Sequence, residues 1–115
     1  MLTSSAKSKG RRLQQVVRDR ILLKFPQLSL RDVVSTSMGA GGVDVKLSEA
    51  AYKLVPYAIE CKSLKTVAVY KFYEQAQAHK SGEPLVVVKA NQKSPLAIMD
   101  LDHFLDLLER ATKNG

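Results

Sequence analysis

Val43–Leu47 (VDVKL) and Pro56–Lys62 (PYAIECK) alternate apolar with polar residues, and this alternation predicts two β-strands that each turn one face toward a core. Side chains two residues apart in a strand point to the same side, so Glu60 and Lys62 are expected to project together. The opposite face of that strand would carry the side chains of Tyr57, Ile59 and Cys61. These two strands decide the fold, because the rest of the chain has to cover their apolar sides.

Asp44 belongs to the first strand, and its carboxylate is expected to lie near that of Glu60, because paired strands are about 4.8 Å apart. Two carboxylates on one sheet face repel each other unless a cation lies between them. A hard divalent ion fits, since magnesium takes one or two carboxylates together with phosphate and water oxygens. Lys62 would orient or deprotonate an attacking water, or stabilise the charge that builds on a phosphate. The pattern indicates magnesium-dependent phosphodiester hydrolysis.

The alternative interpretation is a plain surface ion pair between Glu60 and Lys62, worth under about 1 kcal/mol. Three features favour a site instead. Ala58 leaves room beside the carboxylates, and the loop over residues 35–42 holds three glycines that let backbone approach a phosphate closely. The pair also follows a core-like strand rather than a loop.

The charge of the chain points to a polyanionic partner. Its 115 residues hold 18 basic and 11 acidic side chains, a net charge of +7. Residues 1–24 alone carry +6, with Asp19 the only acid among them. DNA or RNA is the commonest partner of such a basic segment, and a solvated basic arm is the alternative. The expected phosphate contacts are basic residues of this segment: Lys7, Lys9, Arg11, Arg12 and Arg18.

The remaining segments predict a mixed sheet flanked by helices. Helices are expected over Gly10–Lys24, over Val67–Lys80, and after a capping Asp100, and Ser48–Lys53 is expected to form one helical turn. Further strands are expected from Asp32, over Leu85–Val88 as a central strand covered on both faces, and over Pro95–Met99. The predicted order, α-β-β-β-α-β-β-α, defines an α/β fold.

The length and composition predict one compact domain over residues 9–115, which would hold the nuclease site, preceded by a flexible basic arm over residues 1–8. No apolar run approaches the roughly 18 residues that cross a bilayer, so no membrane partner is expected. A single cysteine, Cys61, excludes an intramolecular disulfide framework and a Cys-rich zinc site, and it fits a reducing, cytoplasmic compartment (the host cytoplasm for a phage protein).

The spacing of Gly42-Val43-Asp44 from Glu60-Cys61-Lys62 resembles the PD-(D/E)XK nuclease superfamily, and within it the small archaeal-type Holliday junction resolvases and related phage endonucleases. The likeness covers nearly the whole chain. It includes the Lys9-Gly10 helix start, a Ser-rich strand end, Glu74-Gln75 in the second helix and the apolar strand Leu85–Val88.

This resemblance implies a restriction-endonuclease-like core, a site with one or two Mg²⁺ ions, for which Mn²⁺ is expected to substitute, and no small-molecule cofactor. Asp44 and Glu60 would bind the metal, the Cys61 carbonyl would add a ligand, and Lys62 would assist the water. Gln75 would hold the active site or contact the phosphate. A homodimer would place two such sites on a four-way DNA junction. Ser35 and Ser37, at the mouth of the expected cleft, would bond a phosphate, with loop solvation as the equal alternative.

One departure from the family pattern concerns Gln14. Resolvases of this kind usually carry a glutamate at this point of the first helix, where it completes the metal site. A glutamine oxygen can still bind a hard cation but adds no charge. Three hypotheses remain: a junction resolvase, a nicking or flap nuclease of the same superfamily, and a basic DNA-binding protein without catalysis.

Overall fold

The computed structural model describes residues 4–36, 44–63 and 66–114, with side chains from residue 8 to residue 113 of these ranges. It is a mixed α/β structure with four helices and two small antiparallel sheets of two strands each. The elements in chain order are α1 (Ser4–Lys24), β1 (Val33–Ser35), β2 (Val45–Leu47), α2 (Glu49–Leu54), α3 (Val69–Ala78), β3 (Val86–Val88), β4 (Leu96–Ile98) and α4 (Leu101–Asn114). No helix in the described part of the chain is long and apolar enough to span a membrane.

These elements form two compact units. The first comprises the described residues of Met1–Leu64 and Leu105–Gly115, and the second those of Lys65–Phe104. The first unit has a core of nearly inaccessible apolar side chains, which come from both strands, three helices and the turns between them. They are Val17, Ile21, Phe25, Leu28, Val33, Val45, Ala51, Val55 and Leu105.

Helix α1 covers the sheet of the first unit through residues one helical turn apart. Gln14, Val17 and Ile21 form its buried stripe. The helix ends at Lys24, as predicted, because Pro26 has no N–H to continue it. It begins at Ser4, about six residues before the expected start near Gly10, so residues 4–8 of the expected flexible arm are helical.

The α1 C-terminus is fixed by charge. The Lys24 ammonium binds the Asp106 carboxylate and lies 3.7 Å from that of Glu109, both on α4. A cation in the last turn also interacts favourably with the negative end of the helix dipole.

In the first sheet, β1 and β2 pair antiparallel with Ser35 opposite Val45. The strand expected over Pro56–Lys62 does not continue this sheet. Among the described residues, the one β-bridge of this segment joins Ile59 to Val45. The backbone groups around it are used otherwise, since Pro56 has no N–H and the Cys61 N–H donates to the Asp44 side chain. Tyr57, expected on the buried face, is 45% exposed.

The second unit holds α3 and the hairpin β3–β4, in which Val87 pairs with Ala97. The prediction that Leu85–Val88 is a central strand covered on both faces is wrong for the described residues, because β3 pairs with β4 alone and Val87 is 63% exposed. The expected cap of α4 is confirmed, since the His103 N–H donates to Asp100 Oδ2 at 3.0 Å.

Asp32 joins β1 to the start of α2. Its carboxylate accepts hydrogen bonds from the Ser29 N–H at 2.8 Å and from the Ser48 hydroxyl at 2.7 Å, and Ser48 in turn caps α2. These bonds, the Ser29 bond first, hold the pKa of Asp32 below its ordinary value of 3.8. Asp32 is therefore expected to stabilise the fold in its ionised form.

The pH dependence of this stabilisation follows from its sign. Because the folded pKa of Asp32 lies below the unfolded value, its contribution is present above about pH 4 and is lost as pH falls through the folded pKa. In urea unfolding, Asp32→Asn should be less stable than the parent at pH 6, and this difference should shrink toward pH 2. Asp19→Asn is the control. A difference that stays constant with pH would contradict the role of ionised Asp32.

Candidate active site

Asp44 lies immediately before β2 and is held by backbone hydrogen bonds on both sides. Its N–H donates to the Ile59 carbonyl at 3.1 Å. Its own carbonyl accepts two bonds from Thr36, one from the N–H at 3.0 Å and one from the hydroxyl at 2.9 Å. The position of Asp44 is thus set by the residue after β1 and by the segment that carries Glu60.

The side chain of Asp44 connects the two halves of the predicted motif. Asp44 Oδ2 accepts a hydrogen bond from the Cys61 N–H at 2.6 Å. Hydrogen bonds from N–H groups to a carboxylate are among the strong ones in proteins. Asp44 Oδ1 accepts none from the residues that the structure describes. The carboxylate is therefore fixed through one oxygen while the other can take a ligand.

Glu60 and Lys62 project together, as the strand pattern predicted. Lys62 Nζ lies 3.3 Å from Glu60 Oε1. The side chains are 63% and 70% exposed, so the pair itself contributes little to stability. Their exposure leaves both charged groups accessible to a solvent-borne phosphate or metal ion.

Cys61 directly follows Glu60 in the sequence and is half-buried. Burial is the main cause that raises the pKa of its thiol, and the negative charges of Asp44 and Glu60 raise it further. A thiol with a raised pKa stays protonated at neutral pH and is a poor nucleophile. The environment of the thiol therefore agrees with the expected structural role. The group of Cys61 that remains for metal binding is its backbone carbonyl.

Gln14 is the one buried polar side chain of the described core, with 1% of its surface exposed. Its Oε1 accepts a hydrogen bond from the Ser35 hydroxyl at 2.9 Å. This bond joins the middle of α1 to the end of β1. The oxygen that the sequence assigned to a metal is thus already bonded to a strand residue.

The donor chemistry of the site suits a hard cation. Asp44, Glu60 and the Cys61 carbonyl offer only oxygen atoms, the donors that Mg²⁺ prefers. No group of three or more His, Cys, Asp or Glu residues is arranged to hold a metal in the described ranges. A divalent ion here would therefore rely on two carboxylates and complete its coordination with water and phosphate oxygens, as magnesium commonly does.

The basic residues of α1 differ in their availability. Lys9, Arg11 and Arg12 are exposed and form no ion pair with any described residue. Arg18 is bound to Asp19 at 2.9 Å, so part of its charge is neutralised. The Lys7 side chain and Ser37 lie outside the described residues. Ser35 gives its only hydroxyl proton to Gln14, so it has no proton left to donate to a phosphate.

Two residues differ from the site that the sequence predicted: one assigned residue lies in the second unit, and one residue at the site was not assigned. Gln75 lies on α3 in the second unit and is exposed, and its role at the site stays a prediction. Thr36 was not singled out from the sequence, although it makes two bonds to the Asp44 carbonyl. Thr36 directly follows β1, and its contact with Asp44 depends on the register of β1 against β2, which the sequence does not indicate. Compared with known protein families, curated proteins and solved structures, the chain matches none.

Proposed function

We propose that this protein is a magnesium-dependent DNA endonuclease with its reaction centre at Asp44, Glu60 and Lys62. The observation that carries the proposal is the hydrogen bond between Asp44 Oδ2 and the Cys61 N–H, next to the bridge between Val45 and Ile59. Through this bond Asp44 lies against the segment that carries Glu60 and Lys62, which supports a site built from two carboxylates and a lysine. This is the donor set of a site that binds a metal and a phosphate together.

Each residue has a distinct task in this proposal. Asp44 and Glu60, with the Cys61 carbonyl, would hold Mg²⁺, which would supply activation of the attacking water. In hydrolysis a water oxygen forms a new bond to phosphorus, the bond from phosphorus to one sugar oxygen breaks, and the departing oxygen gains a proton. Lys62 orients the attacking water and stabilises the charge that builds on the phosphate.

The finer assignment is a Holliday junction resolvase with a restriction-endonuclease-like core, acting as a homodimer. It rests on the resemblance of the Asp44 and Glu60-Cys61-Lys62 motifs to that superfamily. A nicking or flap nuclease with the same residues is the second candidate, because branch selectivity depends on dimer geometry rather than on the catalytic triplet. The third, a DNA-binding protein without catalysis, is favoured by one observation: Gln14 supplies no charge to the site.

Cleavage of labelled substrates separates these candidates. A four-way junction, a flap, a linear duplex and a single strand of matched sequence are incubated with Mg²⁺ or Mn²⁺. Paired symmetric nicks in the junction alone identify a resolvase, and cutting of the flap or of every substrate identifies the second candidate. Binding of DNA without any cutting would contradict the proposed enzyme. Sedimentation with and without junction tests the homodimer, which a monomer at micromolar concentration under both conditions would exclude.

Arg11 and Arg12 are expected to carry much of the DNA affinity, since both are exposed and unpaired within the described ranges. Replacing both with alanine should weaken DNA binding and reduce the slope of log K against log salt by about 2, because each lost phosphate contact removes about 0.9. Binding is measured by fluorescence anisotropy with a chelator present, so that no cleavage occurs.

The control removes the same charge elsewhere. Arg31→Ala with Arg110→Ala changes two exposed arginines that lie outside α1. This double variant should keep the parental salt slope. Equal losses in both double variants would show that only net charge matters and would remove α1 as the DNA-binding surface.

A further inference from the structure

Gln14 stands out because it combines near-complete burial with a polar contact to the strand that precedes the site. It is 1% exposed, and its Oε1 accepts from the Ser35 hydroxyl at 2.9 Å. Burying a side-chain amide destabilises the folded state unless the amide forms hydrogen bonds there. Its position on α1, between the exposed basic residues and the apolar stripe, makes it a direct connection from the helix to the sheet.

A path of hydrogen bonds, interrupted by the peptide link between Ser35 and Thr36, leads from Gln14 to the reaction centre. Ser35, which Gln14 holds, is followed by Thr36, whose N–H and hydroxyl both donate to the Asp44 carbonyl. The Asp44 N–H donates to Ile59, and Asp44 Oδ2 accepts from Cys61. Every step lies within the first unit, and each distance falls between 2.6 and 3.1 Å.

We infer that Gln14 is a positioning residue, which fixes Asp44 through Ser35 and Thr36, rather than a metal ligand. This inference rests on the proposed nuclease function and assigns Gln14 a different task from the glutamate it replaces. A ligand has to present its oxygen toward the ion, whereas the Gln14 oxygen is bonded to Ser35 inside the core. The absence of charge is then suited to the place, because a buried carboxylate would cost far more to desolvate than a buried amide.

Positioning also connects binding with chemistry. Helix α1 carries Lys9, Arg11 and Arg12 on its exposed side and Gln14 on its buried side. Because Gln14 connects α1 to Asp44, a phosphate bound by these basic residues would be held at a fixed position relative to the Asp44 carboxylate. Alignment of the reacting groups contributes to catalysis only when the supporting contacts hold them within a narrow range, as second-shell contacts of metal sites do.

The first arm of the test needs no cleavage. Amide hydrogen exchange is followed by NMR in the parent, in Gln14→Leu and in Ser35→Ala. In both variants the exchange rate of the Cys61 N–H should rise about tenfold relative to that of a reference amide within α1. The reason is that the hydrogen bond to Asp44 loosens locally. Gln15→Leu, the same change at the adjacent and less buried residue, should leave Cys61 protected. Unchanged Cys61 exchange in Gln14→Leu would overturn the inference, whether or not the protein cuts DNA.

The second arm separates positioning from metal binding in the enzyme. At saturating Mg²⁺, Gln14→Leu and Ser35→Ala should each lower kcat about 10- to 100-fold. The double variant should lose no more activity than either single variant, because both changes break the same hydrogen bond. The Mg²⁺ concentration at half-maximal activity should stay within about twofold of the parental value. A raised Mg²⁺ midpoint, with kcat restored by excess Mg²⁺ and an unaffected Ser35→Ala, would make Gln14 a ligand. Lower melting temperatures with parental kcat would leave only a structural role. A parent that does not cut at all would remove the proposed function, while the exchange arm would still decide the role of Gln14.

Discussion

Asp44→Asn is expected to reduce magnesium-dependent cleavage of DNA to the background of the assay while DNA binding stays near the parental level. Asp44 Oδ2 is fixed by the Cys61 N–H, and its other oxygen accepts no hydrogen bond from the described residues, so that it can take a ligand. The amide can still accept the Cys61 bond through its oxygen, so the fold should be retained. What the variant loses is a negative charge where the cation would bind.

Glu49→Gln is the matched control for this result. It makes the same change of charge in the first turn of α2, where Glu49 is exposed and outside both the site and α1, and it should cut at the parental rate. Single-turnover cleavage rates and anisotropy in chelator give the two readouts. Parental cutting by Asp44→Asn would refute the assignment of the metal site, and a loss of binding equal to the loss of cutting would place Asp44 in DNA recognition instead.

Lys62→Ala is expected to lower the single-turnover rate by about 10²–10⁴-fold, the usual range for a positioned group that assists proton transfer or charge stabilisation. The lysine is 70% exposed and its ammonium lies 3.3 Å from Glu60, so its removal should cost little stability. The Mg²⁺ midpoint should not rise, because the carboxylates remain.

Another exposed lysine of the first unit provides the comparison. Lys53, in the last turn of α2, is exposed and is not one of the motif residues, so Lys53→Ala should retain the parental rate. Equal small losses in the two variants would mean that Lys62 acts only through net charge. In that case the pair with Glu60 would be the plain surface ion pair that its exposure also allows.

Local sequence signals predicted most of the helical structure. Pro26 predicted the end of α1, and Asp100 predicted the cap of α4. Apolar spacing predicted the helix α1 but only part of its buried stripe, since Val17 and Ile21 are buried and Leu23 is 84% exposed. These are short-range effects, in which a proline or a capping carboxylate acts on the next turn. The helix start at Ser4 was missed, because Ser and Lys near the terminus resemble a flexible arm.

The strands were predicted less well, because strand formation depends on partners that are distant in sequence. The alternation over Pro56–Lys62 is genuine, but the Cys61 N–H bonds to a side chain instead of a strand carbonyl. Likewise Val86–Val88 forms a strand whose apolar sequence predicted burial, yet it pairs with β4 alone among the described residues. An apolar run gives the strand but not the number of its neighbours.

The candidate site was predicted as a pairing of motifs, and its internal contacts were not. The Glu60 and Lys62 side chains meet at 3.3 Å as expected, although the segment does not form the strand from which this was predicted. Nothing in the sequence indicated that Thr36 binds the Asp44 carbonyl or that Gln14 is buried against Ser35. Both contacts depend on the register of β1 against β2 and on the seating of α1, which are tertiary properties.

The most direct test of the central claim is cleavage of an end-labelled four-way junction by the parent protein in Mg²⁺ and in chelator, beside Asp44→Asn purified in the same way. The account predicts nicks that appear with the parent in Mg²⁺ and are absent in chelator and with the variant. Cutting that persists in chelator or with Asp44→Asn would contradict a metal site at Asp44 and Glu60. A junction that is bound but never cut would contradict catalysis itself.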